Sequence, residues 1–286
     1  MASDRIARAK EFLWSNARLL ERRRFTALFE GGGKQQVLSA LQAYQNEDGG
    51  FGNALEPDKR SAFSQPIDQE VGLHVLDEVG FEPALVGGVC DFLLTITTEE
   101  GGVPFVLTTV KDAPRAPWWD TDEEAPPASL NPTASIAGLL HKHGYRHPWL
   151  ERATRFCWKQ LEGDAEFEVH TLLSVLLFLE HVVEKGRAQA HFERIESQVR
   201  NATELGLDAE GYVHPPYAFA PTPQSLAYRL YDEQLLQDHV SALAAKQQSD
   251  GGWPISWPPV SPGCELEYRG MVTLSALKTL KAYGRL

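Results

Sequence analysis

Gln45-Asn46-Glu47-Asp48-Gly49-Gly50-Phe51 comes back near the other end of the chain as Gln247-Gln248-Ser249-Asp250-Gly251-Gly252-Trp253. Both stretches read Gln-x-x-Asp-Gly-Gly-aromatic. Glu100-Gly101-Gly102-Val103-Pro104-Phe105 is a weaker copy, and Glu210-Gly211-Tyr212 is weaker still. Self-similarity of this kind marks a repeat architecture, in which each unit buries its apolar face against the next.

Ahead of the copies the apolar residues fall at helical spacing: Val37, Leu38, Leu41 and Tyr44; Val89, Phe92, Leu93 and Ile96; Leu236, Val240, Leu243 and Ala244. One apolar stripe with a polar back describes a helix covering a core from outside. Gly-Gly then stops it, because glycine takes the left-handed C-terminal conformation without steric cost. Small polar residues with proline mark the next starts: Ser64-Gln65-Pro66, Asn131-Pro132-Thr133 and Thr222-Pro223-Gln224. The helices that follow are apolar on more than one side, as in Val71 to Val79, Ile136 to Leu140, Leu172 to Val183 and Met271 to Leu280. Gly80, Gly144, Gly186 and Gly284 read as stops, and Pro83 and Pro148 as the next starts. No run of alternating Val, Ile and Thr is long enough for a sheet. The pattern predicts an all-α fold, an α/α toroid: a double ring of helical hairpins, about five to six pairs. Residues 1–286 form a single domain in this reading, with an N-terminal helical segment from Ser3 to Phe29.

Composition narrows the class. Of 286 residues, 43% are hydrophobic and 23% charged, the balance of a globular chain rather than a disordered one. With 27 basic against 39 acidic residues the net charge is -12, which repels phosphate backbones and argues against nucleic acid as a partner. Cys90, Cys157 and Cys264 are odd in number and widely spaced, so they read as free thiols of a reducing compartment. Met1 to Arg5 has no signal-peptide pattern, and Leu172 to Leu179, interrupted by Ser174, is too short for a transmembrane segment. These features place the expectation in the cytoplasm and leave the oligomeric state open.

The Gln-x-x-Asp-Gly-Gly-aromatic repeats and the two-layer alternation resemble the squalene-cyclase and protein-prenyltransferase (terpenoid cyclase) superfamily. Within it, the chain looks most like bacterial prenyltransferase-like proteins of unassigned activity. The resemblance implies that Gln45 with Phe51, and Gln247 with Trp253, lock the end of an outer helix to its neighbour. It also implies an isoprenoid or similarly apolar substrate. The family's chemical motifs are missing. Where class II cyclases carry Asp-x-Asp-Asp-Thr-Ala, this chain has Ser129-Leu130-Asn131-Pro132-Thr133-Ala134, and Asn131 cannot protonate an alkene. Where prenyltransferases bind zinc, Cys264 stands in Pro262-Gly263-Cys264-Glu265 with no histidine following. No metal and no cofactor are therefore expected.

In a toroid the loops before the inner helices share one mouth, and three groups there carry chemistry. Trp118-Trp119-Asp120-Thr121-Asp122-Glu123-Glu124 crowds carboxylates, so Asp122, with Asp120 beside it, is expected to hold a proton to higher pH and act as an acid. Trp118 and Trp119 would line the substrate pocket and exclude water. Glu56-Pro57-Asp58 offers two carboxylates held by a proline, suited to acid–base work or to Mg²⁺; the plain alternative is capping of the next helix. Trp257, Glu267, Tyr268 and Arg269 precede the last inner helix, where Arg269 would pair with Glu267 or bind an anion. His214 is the best-placed lone proton carrier. His141, His143 and His147 surround a helix end and suit its dipole better than a metal; His170 and His181 read as core residues.

Three readings stay open from the residues: an enzyme acting on or binding an isoprenoid-like ligand, a carbohydrate-active α/α-barrel enzyme using mouth carboxylates, and a non-catalytic binding toroid. Elemental analysis of the purified protein should find no stoichiometric zinc, because no two thiols, and no thiol with a histidine, have ligand spacing. One zinc per chain would overturn that expectation.

Overall fold

The computed structural model describes residues 2–286, and among them are twelve α-helices and no strand. In chain order they begin with α1 (Ala2–Asn16), α2 (Leu19–Phe29), α3 (Lys34–Gln42), α4 (Pro66–Val79), α5 (Pro83–Thr95) and α6 (Leu130–Lys142). Then follow α7 (Pro148–Glu162), α8 (Val169–His181), α9 (Lys185–Ala202), α10 (Pro216–Phe219), α11 (Glu233–Ala245) and α12 (Pro262–Ala282). The all-α class is as expected, and the pairing of outer with inner helices is consistent with a toroid-like fold. No helix among the described residues is long and apolar enough to cross a membrane.

The boundaries have local causes. Pro66, Pro83, Pro148 and Pro262 stand in first turns, where the missing N–H costs nothing. Ser129, His147, Glu168 and Ser261 accept hydrogen bonds from the free N–H groups of the turns they precede. Three expectations are corrected. The Ser3–Phe29 segment is two helices, broken at Ala17–Arg18. Gly186 lies inside the first turn of α9, since α8 has already ended at its cap, Val182. Thr222-Pro223-Gln224 opens no long helix; only the single turn α10 and a 3₁₀ turn, Leu226–Leu230, occupy that stretch. Pro215, Pro216, Pro221 and Pro223 remove backbone donors there too often for a helix to continue.

The chain groups into two compact units, Lys34–Ile195 and the remainder, made of the residues up to Gly33 with Glu196–Leu286. In the first unit α4, α6 and α8 lie side by side, and α3, α5 and α7 cover them. α6 is the middle inner helix and is buried along nearly its whole length. A Cβ at Gly138 would stand 2.6 Å from the Leu177 carbonyl oxygen, so glycine is what lets α6 approach α8. In the second unit α12 packs against α1, α2 and α11 over a core of Phe12, Leu13, Phe25, Leu236, Val240, Trp253, Leu274 and Leu277.

The Gly-Gly turns are one device used three times. In each, the first glycine N–H donates to the carbonyl three residues before it, Gly49 to Asn46, Gly101 to Thr98 and Gly251 to Gln248, all at 3.0 Å. Those same residues donate back to Gly50, Gly102 and Gly252 at 2.8 to 2.9 Å. The first glycine has positive φ (84°, 100° and 93°), and its absent Cβ would stand 2.6, 2.9 and 2.1 Å from a backbone oxygen of Gly88, Arg152 and Arg8. The second glycine faces a phenylalanine four residues further along that same helix: Phe92 on α5, Phe156 on α7 and Phe12 on α1. The next residue, Phe51, Val103 or Trp253, then donates its N–H to a side chain of an inner helix, Gln69, Thr133 or Thr273, at 2.8 to 3.0 Å. The copy at Gly101-Gly102, weak in sequence, is thus complete in geometry. The Glu210-Gly211 copy is open: Gly211 has φ of 83°, and a Cβ added there would meet no atom within 4 Å.

Gly251→Ala should therefore cost about 2–4 kcal/mol, from left-handed strain plus displacement of α1, whereas Gly211→Ala should cost about 1 kcal/mol from strain alone. Urea titration of both variants checks this; equal losses would show that the α1 contact carries no energy.

Candidate functional site

Between the first Gly-Gly turn and α4 the chain makes a tight loop. Asn53 and Ala54 donate to the carbonyls of Ala62 and Ser61, at 3.2 and 3.1 Å. These two residues have φ of 55° and 58°, in the left-handed region that non-glycine residues avoid. Strain of this kind persists only where the surroundings over-determine it, and it concentrates at functional sites. Here it feeds Glu56 inward.

Glu56, Asp58, Lys59 and Asp68 are all buried. Asp68, in the first turn of α4, accepts from both ends of the Glu56–Lys59 turn: from the Glu56 N–H at 2.8 Å and from Lys59 Nζ at 2.5 Å. The segment of residues 104–119 lies on this loop through Arg60 N–H to the Pro114 carbonyl, Ala116 N–H to the Asp58 carbonyl, and Gln65 bonded to Leu107 and Thr109. Three buried carboxyl groups thus lie close to one buried ammonium, which pairs with Asp68. Burial pushes the Glu56 carboxyl up to about 8; Lys59 opposes the shift, and Asp68 and Asp58 add to it. Glu56 therefore keeps its proton at neutral pH and is a weak acid.

The Trp118–Glu123 stretch behaves otherwise. Asp122 is fully exposed and ion-paired with Lys111, whose hydrogen bond and charge hold its carboxyl below the usual range. The expected upward shift is corrected: carboxylates repel only where water and cations do not screen them, and here both do. Asp120 pairs with Arg115. Trp119 is buried and stacks on Phe105 at 4.9 Å, while Trp118 is 44% exposed, so neither tryptophan shields Asp122.

In the second unit, Trp257, Tyr268 and His214 do come together, through Tyr212. Trp257 meets Tyr268 and Tyr212 edge to face at 4.9 and 5.5 Å, and Tyr212 meets His214 at 5.0 Å. Arg269 turns away to the second-unit Gly-Gly turn. It binds both Asp250 oxygens at 2.8 Å and Gln248 at 2.7 Å, and lies over the Phe12 ring. Its ion-pair partner is Asp250 and not Glu267, so the anion-binding expectation is corrected: the guanidinium is taken up by the turn. Glu267 is half-buried with partners of its own. His143 stacks on Phe81 and pairs with Asp77, His147 caps α7, and burial pushes His181 down to about 4. Among the described residues no group of three or more His, Cys, Asp or Glu is placed to hold a metal ion.

Lys59 and Asp68 do not stand out in the sequence. A signal for Asp68 exists: it stands three residues after the capping Gln65, in the first turn of an inner helix whose next residue, Gln69, fixes Phe51. Nothing in the spacing of Lys59 marks it.

No family model and no curated protein matches the sequence. A crystal structure of a protein from Actinoplanes is similar over 99% of this chain and 100% of that one, with a TM-score of 0.63 and 16% identity. At that identity the likeness is one of fold.

The raised Glu56 carboxyl gives a signed prediction. The folded state holds a proton that the unfolded chain, at 4.5, releases. The stability so contributed is full below 4.5 and is lost as pH rises through about 8. Glu56→Gln should therefore gain thermal midpoint relative to the parent as pH rises from about 5 to about 9, by several degrees. A difference that does not vary with pH would mean that Glu56 is ionised throughout.

Proposed function

We propose that the chain is a terpenoid cyclase-like enzyme that transfers a proton from Glu56 to an isoprenoid or similarly apolar substrate. The single observation behind this reading is a buried carboxyl that stays protonated at neutral pH, on a turn that Asp68 ties at both ends and that follows two residues of left-handed backbone. An acid this weak is poorly matched to an unactivated alkene and well matched to an oxygen that becomes a better leaving group on protonation. The substrate class is accordingly an oxygenated isoprenoid such as an epoxide or an allylic alcohol. In this reading Glu56 donates its proton to the oxygen, and the C–O bond breaks with its electron pair kept on that oxygen, as the hydroxyl of an opened epoxide or as water from an allylic alcohol. Asp58, on the same buried turn, stabilises the cationic carbon, and an alkene of the same substrate chain captures it. A C–H proton lost from the product cation returns to the Glu56 carboxylate. Asp68 and Lys59 are positioning residues. The segment of residues 104–119 lies over the loop of Glu56, which is 6% exposed, and in this reading substrate enters beneath it.

A second reading, a carbohydrate-binding or sugar-processing protein, is favoured by the Trp257–Tyr268–Tyr212 cluster, where Tyr212 is 51% exposed. Incubation with epoxyfarnesol and oxidosqualene, with gas chromatography and mass spectrometry of the products, tests the first. Glu56→Gln should lower product formation about a hundredfold or more while the thermal midpoint at neutral pH is not reduced. Full turnover in that variant removes Glu56 from the mechanism. Inactivity of the parent, together with oligosaccharide-dependent quenching of Trp257 fluorescence, would favour the second reading.

A further inference from the structure

A separate hollow lies in the Lys34–Ile195 unit, sharing no lining residue with the Glu56 cluster. It is a groove of about 530 Å³ between Ile96–Glu100, which leaves α5, and Glu124–Ala128, which leads to α6, with Pro104 and Leu107 between them. Its walls are fixed. Pro104 and Ala128 pair in an antiparallel bridge, Ser129 N–H donates to the Val103 carbonyl at 2.9 Å, and the Thr98 hydroxyl is committed to the Gly102 carbonyl. Pro126 and Pro127 hold their own φ and have no N–H, so those two wall positions bring no backbone donor.

The charged residues among the groove's own lining are all acidic. Glu99, Glu100 and Glu124 are exposed on the rim, and none makes an ion pair among the described residues. Their neighbours Asp120 and Asp122 are each neutralised, by Arg115 and Lys111. No lysine, arginine or histidine lines the groove. Arg152 and Arg155 line a different, more polar hollow that Glu99 and Glu100 also border. Ile96, Leu107, Pro104, Pro126 and Pro127 supply apolar walls, and the volume falls within the range of small-molecule sites.

We propose that this groove binds a small organic cation with an apolar body, an alkylammonium-type amine, its chain on the proline wall and its N–H donors on the three glutamates. Apolar contact alone would accept an anion of the same shape, and charge alone would accept a polyamine; the groove asks for both at once. The inference does not rest on the assignment of Glu56.

Calorimetric titration of the full chain at low ionic strength with n-octylammonium chloride tests it. Sodium octyl sulfate serves as the anionic twin and spermidine as a cation without an apolar body. One octylammonium per chain should bind, with octyl sulfate inert and spermidine about tenfold weaker or worse. The triple change Glu99→Gln, Glu100→Gln and Glu124→Gln should weaken octylammonium about tenfold or more, and the effect should shrink with added salt. Glu166→Gln, Asp208→Asn and Glu210→Gln remove the same charge elsewhere and should leave the affinity within about twofold. Failure of octylammonium to bind, equal binding of octyl sulfate or spermidine, or equal losses in both triple variants would each overturn the proposal.

Discussion

The fold depends on a contact that leaves no room for a Cβ. At each full Gly-Gly turn the chain leaving an outer helix touches the backbone of the next outer helix, and a phenylalanine one helical turn along closes over the second glycine. The Cα of a glycine and a carbonyl oxygen then define the spacing between neighbouring hairpins. Everything downstream inherits that spacing. It places Phe51, Val103 and Trp253 where their N–H groups meet an inner helix, and so ties outer layer, turn and inner layer in one register. Asp48 and Asp250 hold their turns from within, each accepting from the second glycine N–H.

The acidic turn behind the first of these contacts is an electrostatic arrangement before it is a chemical one. Lys59 pairs directly with Asp68, and Glu56 lies buried near Asp58 and Asp68, where ionising a further carboxyl is costly. The proton on Glu56 is the smallest adjustment that relieves it. Asp68 accepts from two donors, the Glu56 N–H and Lys59.

Much of this is legible in the residues. Periodicity, the glycine stops and the proline starts yield an all-helical chain because those signals act locally, within a turn or two of helix. The repeat that opens at Gln45 and closes at Phe51 is readable only in part. Gln45 and Asp48 make it visible and tie their own turn, but the Gly101-Gly102 copy reaches the same glycine geometry without them, which is why it is faint in sequence and present in the fold. The matching phenylalanines lie on separate helices, too far along the chain to be tied to their glycines by spacing alone. For the site, crowding in Asp120 to Glu124 is the stronger sequence signal than Glu56-Pro57-Asp58. Sequence shows how many carboxylates are adjacent and not how much water surrounds them; Lys111 and solvent quench the first group, and burial sharpens the second. Arg269 misleads for the same reason, its partner Asp250 being a turn residue that sequence assigns to architecture.

The third Gly-Gly turn has a bearing on the order in which the chain folds. Its docking surface, Arg8 and Phe12 on α1, and its own residues are bridged by a hydrogen bond from Arg8 to the Gln248 carbonyl that spans 240 positions. Loop closure over such a distance comes late, since its entropy must be spent before the contact returns anything. The Lys34–Ile195 unit can complete its own turns while that gap is still open. Until it shuts, Gly252 lacks the Phe12 ring and Gly251 the Arg8 carbonyl that close over them in the finished fold.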